Sequence, residues 1–279
     1  MNTEMRATAS RHLARIVAAL IFATLTSSGQ TPVQRPSFEA FEVATIKPTA
    51  PNPQSLQGRW IRMQSADRFE AHNHAIRTLI AAAYDLSPQA ISDGPPWVDT
   101  ERWDVLAKTP GQVRPNLAEQ MSMLRQLLRE RFKLVYHREP KLMSIYTLTV
   151  AKGGPKLKAS TTLPDATPEG PPPLIFALSP AEAQLPARYS TMAEFASVLQ
   201  RSPLDRPVVD QTGILGRYDF DLEFAPDEKL WGGAVPRPER SDKPDLFRAV
   251  QEQLGLRLEA TKGPVDVLVI DHIEKPSDN

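Results

Sequence analysis

The stretch Leu128–Val150, which reads LRERFKLVYHREPKLMSIYTLTV, is echoed by Val250–His272, which reads VQEQLGLRLEATKGPVDVLVIDH. When the two are aligned without a gap, apolar positions coincide while most polar identities differ. The coincident pairs are Phe132 with Leu254, Leu134 with Leu256, Tyr136 with Leu258, Met143 with Val265, Tyr146 with Leu268 and Leu148 with Ile270. A buried face constrains residue type and an exposed face does not. The pattern therefore predicts a duplicated fold unit and a chain organised in two similar lobes.

Each lobe is predicted to run strand, helix, strand, helix and then a hairpin. The predicted fold class is α+β, with mostly antiparallel sheet and helices packed on one face. Because Val265–Ile270 is almost continuously apolar, it is predicted to be a central strand buried on both faces. The predicted boundaries are a signal peptide at 1–29, a tether at 30–37, a first lobe at 38–152, a Pro/Gly-rich connecting loop at 153–173 and a second lobe at 174–279.

Helices are indicated by apolar residues at helical spacing and by capping residues at their ends. The predicted helices are His74–Leu86 with Asn73 as N-cap, Asn116–Phe132, Thr191–Gln200 with Ser190 as N-cap, and Leu246–Leu254 ending at Gly255. Glu194, three residues after Thr191, is a possible capping-box partner. The closing hairpins are predicted to turn around Pro140 and at Gly263-Pro264, where turn-forming residues interrupt the apolar pattern.

The N-terminus is typical of a secretory signal. Arg6, Arg11 and Arg15 precede the apolar run Ile16–Leu25, and the small residues Ser27–Gly29 follow it. An apolar run this short cannot cross about 30 Å of hydrocarbon as a helix, which favours a cleaved signal over a membrane anchor. We therefore expect an exported protein, periplasmic or extracellular, with no stable membrane span after cleavage.

Composition excludes several classes of protein. The chain has 33 basic and 33 acidic side chains, and removal of residues 1–29 leaves 30 and 32. This balance leaves no excess of positive charge that would indicate binding to nucleic acid or anionic lipid. There is no cysteine, so disulfides, thiol nucleophiles and lipid-modified cysteine are excluded. The GxSxG, SxxK, HExxH, GxxxxGK[ST] and GxGxxG motifs are also missing. The sequence points to no cofactor, no metal and no catalytic residue.

A second repeated motif is Arg102-Trp-Asp-Val105 in the first lobe and Arg217-Tyr-Asp-Phe220 in the second. Its repetition favours a structural role, in which Arg and Asp share one face of a strand and can pair while the aromatic points into the core. The alternative is a recognition surface. The candidate ligand-binding residues are Trp97, Arg102, Trp103, Arg217 and Tyr218.

Two other patterns could supply metal ligands. Asp219, Asp221 and Glu223 alternate with apolar residues, which is ordinary for the outer face of a half-buried strand, although carboxylates also bind Ca²⁺ or Mg²⁺. His72-Asn-His74 offers two imidazoles, but a helix-entry role for Asn73 is favoured. Neither pattern is predicted to bind a metal.

Several of these motifs resemble a large family of uncharacterised exported proteins from soil bacteria, chiefly acidobacteria. The motifs are Phe41-Glu-Val-Ala-Thr-Ile-Lys-Pro48, Gly94-Pro-Pro-Trp97, Arg131-Phe-Lys-Leu134, Arg206-Pro-Val-Val-Asp-Gln-Thr-Gly213, Gly216-Arg-Tyr-Asp-Phe220, Gln253-Leu-Gly-Leu256 and Val269-Ile-Asp-His-Ile-Glu-Lys-Pro276. The resemblance implies export and a shared fold, with no known reaction. Some relatives are similar to the extracytoplasmic part of β-lactam-sensor-type membrane metallopeptidases, but this chain lacks their zinc-peptidase motif.

The function favoured by these features is an exported, non-catalytic binding or protein-interaction module for an unknown envelope protein or peptide. The partner is expected either along an exposed sheet edge or in a cleft between the lobes, lined by Trp97, Arg102 and Tyr218. Two alternatives stay open. One is an envelope hydrolase whose carboxylates or histidines converge only in three dimensions, and the other is a structural envelope component.

Overall fold

The computed structural model describes residues 35–49, 59–161, 177–178, 182–233, 238–239 and 241–277. The predicted signal peptide, most of the tether and residues 162–173 of the predicted connecting loop lie outside the described residues. The chain divides into the units Met1–Arg35 and Pro36–Asn279, and the strands and helices of the described residues lie in the second of these. No helix in the described part of the chain combines the length and the apolar character that crossing a membrane requires.

Strands and helices are interspersed along the described chain. The strands are β1 (Val43–Pro48), β2 (Trp60–Met63), β3 (Arg68–Ala75), β4 (Ile91–Asp93), β5 (Arg102–Lys108), β6 (Val135–Val150), β7 (Lys158–Ala159), β8 (Ala177–Leu178), β9 (Ala183–Ser190), β10 (Val208–Asp210), β11 (Tyr218–Phe224) and β12 (Leu256–His272). The α-helices are α1 (Ile76–Tyr84), α2 (Trp97–Thr100), α3 (Leu117–Arg131), α4 (Met192–Arg201) and α5 (Leu246–Leu254). We refer to β1–β6 with α1–α3 as the first half and to β7–β12 with α4 and α5 as the second half.

The ends of three helices follow from local chemistry. Asn116 caps α3 through a capping box with Glu119, and Thr191 caps α4 through a capping box with Glu194. The prediction of Ser190 as the N-cap of α4 is wrong by one residue, because Ser190 is the last residue of β9. Helix α5 ends at Gly255 as predicted, with φ 65° at this C-cap.

The strands form three four-stranded sheets, in the orders β1-β5-β3-β2, β7-β11-β9-β8 and β10-β6-β12-β4. Among the described strands only the short β10 and β4 pair in parallel, with β6 and β12 respectively, and the other pairs are antiparallel. The predicted α+β class with mostly antiparallel sheet is confirmed. Strand β12 is central, as predicted for Val265–Ile270, and Val267–Ile270 is buried.

The hairpins predicted at Pro140 and Gly263-Pro264 are wrong. β6 and β12 pass through these residues as single strands of 16 and 17 residues and pair with each other along their length. β10 and β4 cover only 146–148 and 268–270, so neither proline has a described strand on its other side. A strand with such an open edge tolerates proline, since the missing N–H can fall on the side without a ladder.

Two hydrophobic cores result, and the long strands contribute to both. The first core receives Leu134 from the segment before β6 and Leu268 and Ile270 from β12. The second core receives Leu148 from β6 and Leu256 and Leu258 from β12. Helices α1 and α3 line the first core, and α4 and α5 line the second.

The two halves have the same order of strands. Each strand of the first outer sheet corresponds to the strand six numbers later in the second outer sheet, and the two sheets have the same order. In the central sheet, β4 and β6 correspond to β10 and β12 in the same way. The ancestral duplication remains a prediction, because this correspondence concerns element order alone.

Candidate functional site

The repeated Arg–aromatic–Asp motif fixes a bulge in each outer sheet. In the first half β3 leaves its register with β5 around Asn73, which has φ 59°. The N–H of Asn73 donates to Oδ1 of Asp104 at 2.9 Å. The same oxygen accepts from Thr49 Oγ1 at 2.7 Å and lies 2.9 Å from His72 Nδ1. Asn73 therefore sits in a strand bulge, and the prediction that it caps the following helix is wrong, since Ala75 is the N-cap of α1.

The second half repeats this arrangement. Tyr189 has φ 53° at the bulge of β9, and its N–H donates to Oδ1 of Asp219 at 2.8 Å. This backbone hydrogen bond, followed by a hydrogen bond with the Ser160 side chain, lowers the pKa of Asp219. The two motif aspartates thus hold equivalent bulges, which supports the structural interpretation of the motif. Within the described residues, neither aspartate forms the expected pair with the arginine of its own motif. The aspartates accept from the bulge N–H groups of Asn73 and Tyr189, and Arg217 donates to the Tyr189 carbonyl.

A cavity of about 470 Å³ opens beside the bulge of the first half. Its lining comes from the start of α1, from β4, from the 3₁₀ turn Pro88–Ala90 and from arginines of neighbouring segments. The lining residues are Arg59, Ala75, Arg77, Thr78, Pro88, Gln89, Ile91, Ser92, Asp93, Asp99 and Arg102. The N-cap residue, Ala75, has no side-chain acceptor for the first N–H groups of α1, where the helix dipole favours negative charge.

Sheet pairing brings the arginines to this cavity. Trp60, next to Arg59, pairs with His72 of β3, and Ala75 at the end of β3 pairs with Arg102 of β5. β2 and β5 flank β3 in the sheet. Arg59 and Arg102 therefore approach the start of α1 from the two sides of the strand that leads into it.

Arg77 has internal partners. Its guanidinium donates to both carboxylate oxygens of Asp99, at 2.5 and 2.9 Å, and to the carbonyl of Ile91 at 2.6 Å. This clamp ties α1 to β4 and α2 and neutralises Asp99. Arg77 is therefore a structural part of the cavity wall.

Arg59 and Arg102 differ from Arg77 in their hydrogen bonding. Neither guanidinium has a hydrogen bond or an ion pair within the described residues, and Arg59 is half-buried. Burial and then the charge of Arg102 lower the pKa of Arg59. Two like charges thus face one cavity without a carboxylate partner from the described chain.

His74 adds no positive charge to this cavity at neutral pH. Its Nδ1 lies 3.2 Å from Thr78 Oγ1, and its Nε2 is shielded from solvent without a hydrogen-bond partner among the described residues. Burial, followed by the charge of Arg59, lowers the pKa of His74 to about 4. With Arg77 and Asp99 paired, the cavity retains Arg59, Arg102 and the exposed carboxylate of Asp93, a formal balance of one positive charge.

Of the predicted ligand-binding residues, those of the first half lie near one another. The rings of Trp97 and Trp103 meet edge to face at 6.5 Å, and Trp103 is buried. Arg102 lines the cavity. The sequence pattern did not indicate Arg59, which belongs to no motif and joins Arg102 only through strand pairing.

Arg217 and Tyr218 lie in the second half and take part in internal contacts. Arg217 donates to the carbonyl of Tyr189 at 2.8 Å and to the carboxylate of Glu194. Tyr218 donates its hydroxyl to the carbonyl of Leu215 at 2.9 Å. A ligand role for these two, and for Trp97, Arg102 and Trp103, stays a prediction.

Histidines and carboxylates do not cluster in the described part of the chain. No group of three His, Asp or Glu residues there has the spacing of a metal site. His72 meets one carboxylate, that of Asp104, which is already bonded to Thr49 and to the bulge. Asp219, Asp221 and Glu223 are each engaged separately, with the Tyr189 N–H, Arg188 and Lys243 respectively.

Comparison with known proteins identifies the family. Residues 77–273 match DUF3738, described as a protein of unknown function. The chain belongs to the DUF3738 family. The part shared with DUF3738 includes Arg77, Arg102 and all of the second half, whereas Arg59 and His74 precede it. No curated protein and no solved structure matched this DUF3738 chain.

Proposed function

We propose that this DUF3738 protein is an exported, non-catalytic binding module that holds an anionic group of its ligand in the cavity at the start of α1. The observation that carries the proposal is the pair Arg59 and Arg102, two guanidinium groups that line one open cavity without an acidic partner in the described chain. An anion bound between them would relieve their mutual repulsion and satisfy their donors.

The physical chemistry of the site fits a small ligand. A volume of about 470 Å³ is within the range of about 300–1,000 Å³ that is common for small-molecule sites. Arginine binds planar anions with two parallel hydrogen bonds, and partial burial of Arg59 strengthens its electrostatic attraction over that of a fully hydrated charge.

Export is supported by the arginine-flanked apolar run near the N-terminus. The resemblance to exported proteins of soil bacteria, some similar to the extracytoplasmic part of β-lactam-sensor-type metallopeptidases, also supports a periplasmic or extracellular location. The partner in this setting is an envelope protein, a peptide or a small acid that presents an anionic group. Mass spectrometry of the exported protein should find an N-terminus close to residue 30, and recovery of residues 1–29 on the exported protein would contradict cleavage.

Binding is tested by calorimetric titration of residues 30–279 with acetate, succinate, phosphate and sulfate, at constant ionic strength. We expect at least one anion to bind, and the variant Arg59→Ala/Arg102→Ala to lose about tenfold or more in affinity, because a charge-assisted hydrogen bond contributes about 1.5–3 kcal/mol.

Arg68→Ala is the matched control, since Arg68 is an exposed arginine of the same sheet outside the cavity. It should leave the affinity unchanged. Equal affinity in the wild type and the double variant, or no binding of any of the four anions, would refute the proposal.

A further inference from the structure

The second half contains an internal counterpart of the cavity. Each of the two outer sheets has a bulge residue with positive φ, Asn73 or Tyr189, held by the motif aspartate. Counting forward from that residue, Ala75 corresponds to Thr191 and Thr78 corresponds to Glu194. Arg102 corresponds to Arg217 in the repeated motif, and both carbonyls accept an equivalent backbone hydrogen bond, from Thr49 and Ser160.

In the second half this position is filled by a carboxylate. Glu194 accepts from the N–H of Thr191 at 2.8 Å and from Nη1 of Arg217 at 3.1 and 3.2 Å. Thr191 Oγ1 in turn accepts from the N–H of Glu194 at 3.1 Å. A carboxylate between the start of a helix and an arginine is thus compatible with this fold.

In the first half the same position has no carboxylate. Ala75 and Thr78 are neutral, and the hydroxyl of Thr78 donates to the carbonyl of Ala75 at 2.7 Å. Arg102 has no acidic partner within the described residues, and Arg59 adds a second guanidinium to the cavity. All four residues line the cavity.

We infer that the cavity takes the carboxylate of a ligand in the place that Glu194 occupies in the second half, between Arg102 and the start of α1. This inference rests on the proposed function and names its ligand class. The formal charge of the cavity, with Asp93 at its rim, matches a single carboxylate better than a doubly charged phosphate. The carboxylate belongs to a free organic acid or to the C-terminus of a peptide.

The first experiment compares ligands on the wild-type chain, residues 30–279. Propionate should bind about tenfold or more tightly than phosphate, which a difference of one charge-assisted hydrogen bond would produce. A tripeptide with a free C-terminus, compared with its C-terminal amide, separates the two sources. Tighter binding of the free tripeptide than of propionate assigns the site to peptide ends, and the reverse assigns it to free acids.

The second experiment supplies the carboxylate from the chain itself. In Ala75→Thr/Thr78→Glu the new glutamate should complete a capping box and pair with Arg102, raising the Tm by about 3 °C and abolishing propionate binding. Ala75→Thr/Thr78→Gln is the matched control of the same shape and should show a smaller rise. Adding Arg102→Ala should remove the advantage of the glutamate over the glutamine variant.

The outcomes separate the two proposals. Preference for phosphate over propionate overturns the carboxylate inference and leaves the anion-binding function standing. Undiminished propionate binding in Ala75→Thr/Thr78→Glu overturns the inference by showing that the acid binds elsewhere. If neither propionate nor phosphate binds, the carboxylate inference is overturned, and the proposed function falls with it when acetate, succinate and sulfate also fail to bind.

Discussion

Gly255→Ala should destabilise the protein far more than Gly213→Ala, although both glycines have nearly the same backbone. Gly255 has φ 65° and Gly213 has φ 66°. A Cβ on Gly255 would lie 2.1 Å from the carbonyl oxygen of Gly154 and 2.9 Å from the backbone nitrogen of Lys156, whereas one on Gly213 would meet nothing within 4 Å.

The magnitude follows from these contacts. A left-handed non-glycine residue costs about 1–2 kcal/mol, and this is the whole expected cost at Gly213. At Gly255 the segment 154–156 must also move. This weakens the hydrogen bonds from Lys156 N–H to the Leu254 carbonyl and from Ala151 N–H to the Gly255 carbonyl, at 2.8 and 3.0 Å, each contributing about 1 kcal/mol. We therefore expect Gly255→Ala to lose about 3–4 kcal/mol.

The assay is urea unfolding of both variants and the wild type, followed by circular dichroism and tryptophan fluorescence, with the free energy of unfolding extrapolated to water. The difference between the two variants isolates the steric contact, because the backbone cost is common to both. Equal losses for the two variants would refute the packing of the α5 C-terminus against residues 154–156.

Three further predictions concern the bulge, the buried histidine and the longest helix. Asp104→Ala should lose about 2 kcal/mol in the free energy of unfolding because it leaves the bulge N–H without its acceptor, while Asp104→Asn, which retains an acceptor oxygen, should lose less; similar losses would contradict the hydrogen-bonding role. The lowered pKa of His74, about 4, means that the unfolded chain takes up this proton first as the pH falls, so stability should drop by up to roughly 3 kcal/mol between pH 6.5 and 4. Urea unfolding across that range should show this drop in the wild type and not in His74→Gln, and parallel profiles would rule it out. Asn116→Ala should lose about 1 kcal/mol by removing the capping box of α3, whereas Asn116→Asp should unfold at the wild-type urea concentration; a similar loss in both would count against the cap.

Local patterns were sufficient where neighbouring residues decide the structure. Helices α3 and α5 begin and end within a residue or two of the prediction, because capping side chains and Gly255 act within a single turn of helix. The apolar run Val265–Ile270 indicated a central strand, since a strand covered on both sides has no exposed face to encode.

The two hairpin predictions were wrong because they relied on turn-forming residues. Pro140 and Gly263-Pro264 interrupt the apolar pattern equally well in a turn and in a strand with one open edge. The choice between them depends on which strand lies alongside, and β6 and β12 pair with each other over their whole length. Asn73 was misplaced for a similar reason, because its left-handed conformation is held by Asp104, which is distant in sequence.

The sequence by itself determined the fold class, the main helices, the central strand and the repeated motif, because periodicity and caps are properties of adjacent residues. Only the tertiary structure decided that Arg59 and Arg102 line one cavity. Neither residue is near the other along the chain, and their approach to α1 follows from strands pairing on both sides of β3. The meeting of these two charges at one cavity depends on how the sheet folds, so no single stretch of sequence predicts it.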